Sequence, residues 1–200
     1  MKNKRQYTII AINLFIFIVI TILFKTNNIA AFDNKIYQLI TSYKNDYLTT
    51  FFKLITFLCS PFFIATLTLI LLFCLKEEKI GLKIAINVII CTILNQVLKN
   101  LFRRPRPVGI SLIKENGFSF PSGHSMVSLG FYGFIIYILN NSKESKTKKT
   151  VLSILLSFLI LLIGVSRIYL GVHYASDVLA AYAISLVHLT IYTKYYKKIG

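Results

Sequence analysis

The chain has 200 residues, 56% of them apolar, a mean hydropathy of +0.67 and a formal net charge of +16. That is too greasy for an ordinary soluble domain of this length. The cations stand in short blocks between apolar runs rather than along one polar face, so the charge reads as membrane topology and lipid headgroups, not as a nucleic-acid surface.

A spanning helix needs about 20 mostly apolar residues. Six runs qualify, at roughly 7–24, 51–75, 80–101, 122–140, 150–170 and 174–194. They leave no stretch for a separate soluble domain, so residues 1–200 read as a single all-α bundle of six transmembrane helices. The first run follows Lys2, Lys4 and Arg5 in the manner of a secretory signal, but Ile29-Ala30-Ala31 is a poor cleavage site, and retention as the first span is expected. After it, Phe32, Ile36, Leu39, Ile40, Tyr43 and Tyr47 recur at helical spacing among Asp33, Lys35, Lys44 and Asn45. Residues 32–47 therefore predict a short amphipathic helix in the outer interface, either one wall of a lipid entrance or a cover packed over the bundle. Cys59, Cys74 and Cys91 lie inside apolar runs without metal-ligand spacing and read as small core hydrophobes.

With six spans, thirteen Lys and Arg residues fall on one side: those at the N-terminus, Lys76, Lys79, Lys83, Lys143, Lys146, Lys148, Lys149, Lys194, Lys197 and Lys198. Ten fall on the other, but five of these (Lys99, Arg103, Arg104, Arg106 and Arg167) cluster around candidate site motifs. Setting those aside, the positive-inside rule puts both termini in the cytoplasm. Three polar motifs then meet at one extracytoplasmic rim: Lys99 to Pro107, Pro121 to His124, and Ser166 to Asp177. Charged groups are costly at such positions and mark a site.

In the last motif, His173 and Asp177 are four residues apart and share a helix face. The carboxylate can accept the Nδ1 proton and leave Nε2 with a free lone pair. Arg167 supplies a guanidinium fork for a phosphate, across a helix–turn boundary at Gly171. Taken alone, the pair also fits a structural contact between helices. Pro121 and Ser122 suit a helix start, where free N–H groups favour an anion, and Gly123 admits close backbone approach. His124 in that first turn has the place of a general acid. Lys99 and Arg106, with Arg103 and Arg104 nearby, form a cation cluster stiffened by Pro105 and Pro107. Spacing alone does not decide which histidine attacks; only the His–Asp interval favours His173. Both histidines lie among cations that disfavour their charge, while Asp177 favours a charged His173. His188, eleven residues past Asp177, is about 16 Å down a helix and reads as structural.

The pattern K-x6-R-P, P-S-G-H and S-R-x5-H-x3-D resembles the three-part signature of the type 2 phosphatidic acid phosphatase superfamily. Every signature residue is present, over about forty percent of the chain, and the stretch from Phe32 to Ser60 also looks like bacterial membrane members. The resemblance implies that Lys99, Arg106 and Arg167 hold the phosphate oxygens with Ser122 and Gly123. It implies that His173 attacks phosphorus, Asp177 orients it, and His124 protonates the leaving oxygen and then activates water. It also implies a metal-independent lipid phosphatase without cofactor in a bacterial plasma membrane. Its substrate would be a lipid phosphomonoester or diphosphate: phosphatidylglycerophosphate, undecaprenyl diphosphate or phosphatidic acid. It brings no nucleic-acid partner, and the sequence leaves oligomeric state open. Two alternatives use the same cations: a phosphotransferase that passes the group to another acceptor, and a non-enzymatic transporter of phosphorylated lipids.

Overall fold

A computed structural model describes residues 2–75 and 79–196, without the side chains of residues 2 and 3. Lys76, Lys197 and Lys198, part of the charge count above, lie outside the described residues. Every regular element among the described residues is a helix, with no strand: α1 (Lys2–Lys25), α2 (Ala30–Thr41), α3 (Asp46–Phe57), α4 (Pro61–Cys74), α5 (Ile80–Phe102), α6 (Gly123–Asn141), α7 (Lys146–Tyr169) and α8 (Ala175–Tyr195).

Four of these, α1, α5, α7 and α8, are long and apolar enough to cross a membrane, and a fifth span arises if α3 and α4 count as one. The run expected as a single span at 51–75 is thus two helices bent by 43°. Its break has a local cause. Ser60 accepts a hydrogen bond from the Phe63 amide at 3.2 Å and Pro61 takes the first position of α4, where its missing N–H costs nothing. The run at 122–140 becomes α6, which is not among those four. The structure adds no support to a count of six.

α6 packs between α5, α7 and α8, while α1 lies along α8. Phe17 and Ile20 of α1 meet Phe120 and the small residues Ala180, Ala181 and Ala183 of α8. Outward-facing Phe15, Phe62, Phe73, Ile93, Leu101 and Phe158 are exposed, the apolar exterior of a multi-pass membrane protein. α2 packs on α7 and α8, with Ile36, Tyr37 and Ile40 against Ile168, Ala175 and Tyr169. Two connections then carry the site: residues 103–122 between α5 and α6, and residues 170–174 between α7 and α8. They are laced together by a backbone bond from Leu112 to the Leu170 carbonyl at 2.9 Å.

Candidate active site

Helix ends bring the three motifs together. The C-terminal turn of α5 presents Lys99, the N-terminus of α6 presents Gly123 and His124, and the turn before α8 presents His173. These side chains line one cavity of about 520 Å³ with Arg106 and Glu115. The cavity continues between α4 and α5 along Pro61, Ile64, Ala65 and Val88, so a polar end opens into an apolar groove.

His173 is held by a chain of hydrogen bonds. Ser119 donates to Asp177 Oδ2 at 2.5 Å, and its oxygen lies 3.2 Å from His173 Nδ1. Since the hydroxyl has one proton and gives it to the carboxylate, Nδ1 must be the donor to Ser119. Nε2 therefore keeps its lone pair, and Arg106 Nη1 lies 3.2 Å from it. The direct His173–Asp177 contact is longer, at 3.5 Å, so the orienting carboxylate acts chiefly through Ser119. The second Asp177 oxygen, Oδ1, accepts from Arg104 at 2.7 Å. Burial drives the His173 imidazole well below its ordinary value, and Arg167, Lys99 and Arg106 push it further. The neutral base is the resting form.

Arg104 also donates to Asp33 at 2.8 Å, and Asp33 accepts from the Ser176 amide and hydroxyl, each at 2.8 Å. Both carboxylates are buried, with Arg104 between them and its guanidinium over the Tyr174 ring at 4.0 Å. An unpaired ion there would cost several kcal/mol, so the arginine is what lets two acids share this space.

The cations expected to bind phosphate are already engaged. Lys99 donates to the Phe118 carbonyl. Arg106 donates to the carbonyls of Val172 at 2.9 Å, Gly117 at 3.0 Å and Asn116 at 2.8 Å. Arg167 is 0% exposed and pairs with Glu115 and with Thr56 Oγ1 at 2.6 Å. Ser122 caps α6, accepting from Ser125 at 2.9 Å through the hydroxyl, and donates its own amide to the Asp177 carbonyl at 3.1 Å. The amides of the first turn of α6 have no intrahelical carbonyl to bond. A Cβ at position 123 would stand 3.1 Å from Asn95 Oδ1, so glycine permits the tight approach of this turn to α5. Cys59 donates to the His124 carbonyl at 3.2 Å.

All eight site residues chosen from sequence therefore lie at this junction, with Lys99, Arg106, Gly123, His124 and His173 on the cavity wall. Sequence reasoning missed Ser119, Asp33, Thr56 and Glu115, and gave no role to Arg104. Ser119, two residues before Pro121, carried no periodic or motif signal; Asp33 was read as one polar position of an amphipathic helix. His188 bonds Asn87 Oδ1 at 2.8 Å, deep in the bundle and away from the cavity. Among the described residues no group of three or more His, Cys, Asp or Glu side chains could hold a metal ion.

A family model described as PAP2 superfamily matches residues 80–200. Phosphatidylglycerophosphatase B of Bacillus subtilis is 38% identical over 96 residues, 48% of this chain and 47% of that protein. Undecaprenyl-diphosphatase of Sulfolobus acidocaldarius is 27% identical over 123 residues, 58% of this chain and 55% of that protein. The matched stretch thus spans about half the length of each of these relatives. The crystal structure of the first transmembrane PAP2 type phosphatidylglycerolphosphate phosphatase from Bacillus subtilis resembles the fold with a TM-score of 0.86. Identity is 29%, over 96% of this chain and 97% of that one. Aquifex aeolicus LpxE is similar with a TM-score of 0.65 and 26% identity, over 80% and 94% of the two chains.

Proposed function

The chain belongs to the PAP2 superfamily, whose model covers residues 80–200, and from that premise we propose that it is a membrane lipid phosphatase working without a metal. The observation that carries the proposal is the shared cavity: His173, His124, Lys99 and Arg106 at its polar end, an apolar groove between α4 and α5 at the other. That shape suits a phosphate on a long hydrocarbon. Phosphatidylglycerophosphate, undecaprenyl diphosphate and phosphatidic acid are the substrates proposed, and the names of the two relatives support the first two.

In the first step the phosphate takes Arg106 away from His173 Nε2, and Lys99, Arg106 and Arg167 hold its oxygens in place of their present partners. The Nε2 lone pair forms a bond to phosphorus as the bond to the leaving oxygen breaks, and His124 gives that oxygen its proton. Charge that develops on the phosphoryl oxygens falls on preorganised cations. Positive charge on the phosphorylated imidazole is offset through Nδ1–H, Ser119 and Asp177. In the second step His124 takes a proton from water, whose oxygen attacks phosphorus. The P–N bond breaks, inorganic phosphate leaves and His173 returns to its neutral form.

The reading extends to topology: six spans, both termini cytoplasmic and the site at the outer face. The chemistry is tested by phosphate release from the three lipids in detergent. His173→Ala is expected to abolish release, a loss of several orders of magnitude, while the protein still inserts. Alkaline quench of the wild type during turnover should trap a phosphohistidine. Unchanged turnover of His173→Ala rejects the proposal, and release that needs an added acceptor turns it into phosphotransfer.

A further inference from the structure

Glu115 is paired with two of the cations proposed to hold the substrate phosphate. One carboxylate oxygen accepts from Arg167 Nη2, and the other stands 3.8 Å from Arg106 Nη2. The cavity wall includes Glu115 but not Arg167, which is 0% exposed beneath it. Arg167 Nε, buried as well, has no hydrogen-bond partner among the described residues. A carboxylate offers a guanidinium the same pair of anionic oxygens that a phosphate offers, and both favour the two-point geometry. Here the carboxylate spans the two guanidiniums, one oxygen toward each, and a phosphate would compete for the same two cations.

We infer that Glu115 is a tethered competitor for the phosphate cradle, which lowers the site's affinity for every phosphate group, so that free phosphate is held weakly while a lipid phosphate, anchored by its hydrocarbon, still binds. The inference rests on the proposed function in one respect, that the cradle is where substrate phosphate binds. Glu115 lies on the 103–122 connection with its side chain 25% exposed, so water is at hand when it swings out. Affinity for any anion is reduced by the fraction of molecules whose cradle is open. Free phosphate must displace the carboxylate with nothing but its charge. A lipid phosphate has its hydrocarbon in the groove between α4 and α5, a contribution the carboxylate does not oppose. After hydrolysis that contribution is gone from the inorganic product, and the returning carboxylate favours its release.

Titration calorimetry of inorganic phosphate into detergent-solubilised protein tests this on the wild type, Glu115→Gln and Glu115→Ala. Gln keeps the size and loses the charge; Ala removes the competitor. Both variants are expected to bind phosphate about tenfold more tightly, or better, as for a cradle closed nine-tenths of the time. Equal or weaker binding by both variants overturns the inference. Phosphate release from phosphatidic acid, measured on the same wild-type preparation, separates the two claims. If the wild type hydrolyses lipid while the variants bind phosphate no better, Glu115 is not a competitor and the proposed function stands. If none of the three proteins binds phosphate and the wild type releases none, both fall.

Discussion

At the scale of single residues, His173 is poised by two opposing sets of groups. Ser119 and Asp177 hold its Nδ1 proton, while Arg167, Lys99 and Arg106 surround the ring with positive charge. Burial and the cations win, and the imidazole stays neutral well below the ordinary 6.5. The consequence for pH has a definite sign. As pH falls below about 6.5 the unfolded chain binds a proton that the folded chain refuses, so stability declines in that range. The acid limb of kcat/KM should likewise lie below the ordinary histidine value. Lys99→Met keeps the aliphatic stem and removes one cation, so the protonated ring is less disfavoured. The acid limb should move to higher pH, along with a lower overall kcat/KM, in a pH–rate profile on a soluble short-chain phosphatidic acid. A limb that stays in place would mean that Lys99 does not act on His173. The His173–Asp177 pair was legible as neighbours from its spacing, but not as residues on one helix face: His173 sits in the turn before α8, whose N-cap is Tyr174, and meets Asp177 directly only at 3.5 Å. Ser119 was not legible, because it reaches the pair from the 103–122 connection, and nothing in its neighbours marks which way an irregular segment folds.

Elements carry the site through their ends and the turns between them. His173 follows α7 by a short turn in which Gly171 has φ +68, a left-handed conformation open to glycine at little cost. A Cβ there would also run into the Ile110 carbonyl on the facing connection. Gly171→Ala should therefore lose on two counts, backbone strain of about 1–3 kcal/mol and displacement of the segment whose Leu112 amide bonds the Leu170 carbonyl in that turn. A lower unfolding temperature in detergent together with reduced kcat is the expected result; a variant with wild-type kcat would show that the turn tolerates the shift. Sequence located this boundary, since a glycine between an apolar run and H-x3-D has few other uses. It did not show the break in the run at 51–75, where apolar content is continuous but Ser60 and Pro61 start a second helix. Hydropathy averages over such a break, whereas capping is decided by two residues. α2 shows the same limit from the other direction: its amphipathic spacing was visible, but Asp33, read as a solvent-facing position, is buried against Arg104 and Ser176. Only tertiary packing reveals that a polar position on one helix is satisfied by another helix and a connecting segment.

For the whole molecule, the motifs converge because α5, α6, α7 and α8 all present their site-bearing ends to one rim, an arrangement their alternating direction in a bundle produces. Which side of the membrane that rim faces is a separate question, on which charge rather than packing bears. Apart from the site itself, cations concentrate on the opposite rim, where Lys143, Lys146, Lys148 and Lys149 bracket the turn into α7. Moving that block across the bilayer would oppose the preference that orients short loops. Lys114, on the site's rim, and Lys143, on the other, are both exposed and suit a labelling experiment in cells. Cys59 and Cys91 are buried and Cys74 is exposed, so Cys74→Ala provides a quiet background. In it, Lys114→Cys should react with a membrane-impermeant maleimide in intact cells, and Lys143→Cys only after the membrane is opened. The reverse pattern would put the phosphate cradle in the cytoplasm, and the lipid offered to it would then have to come from the inner leaflet.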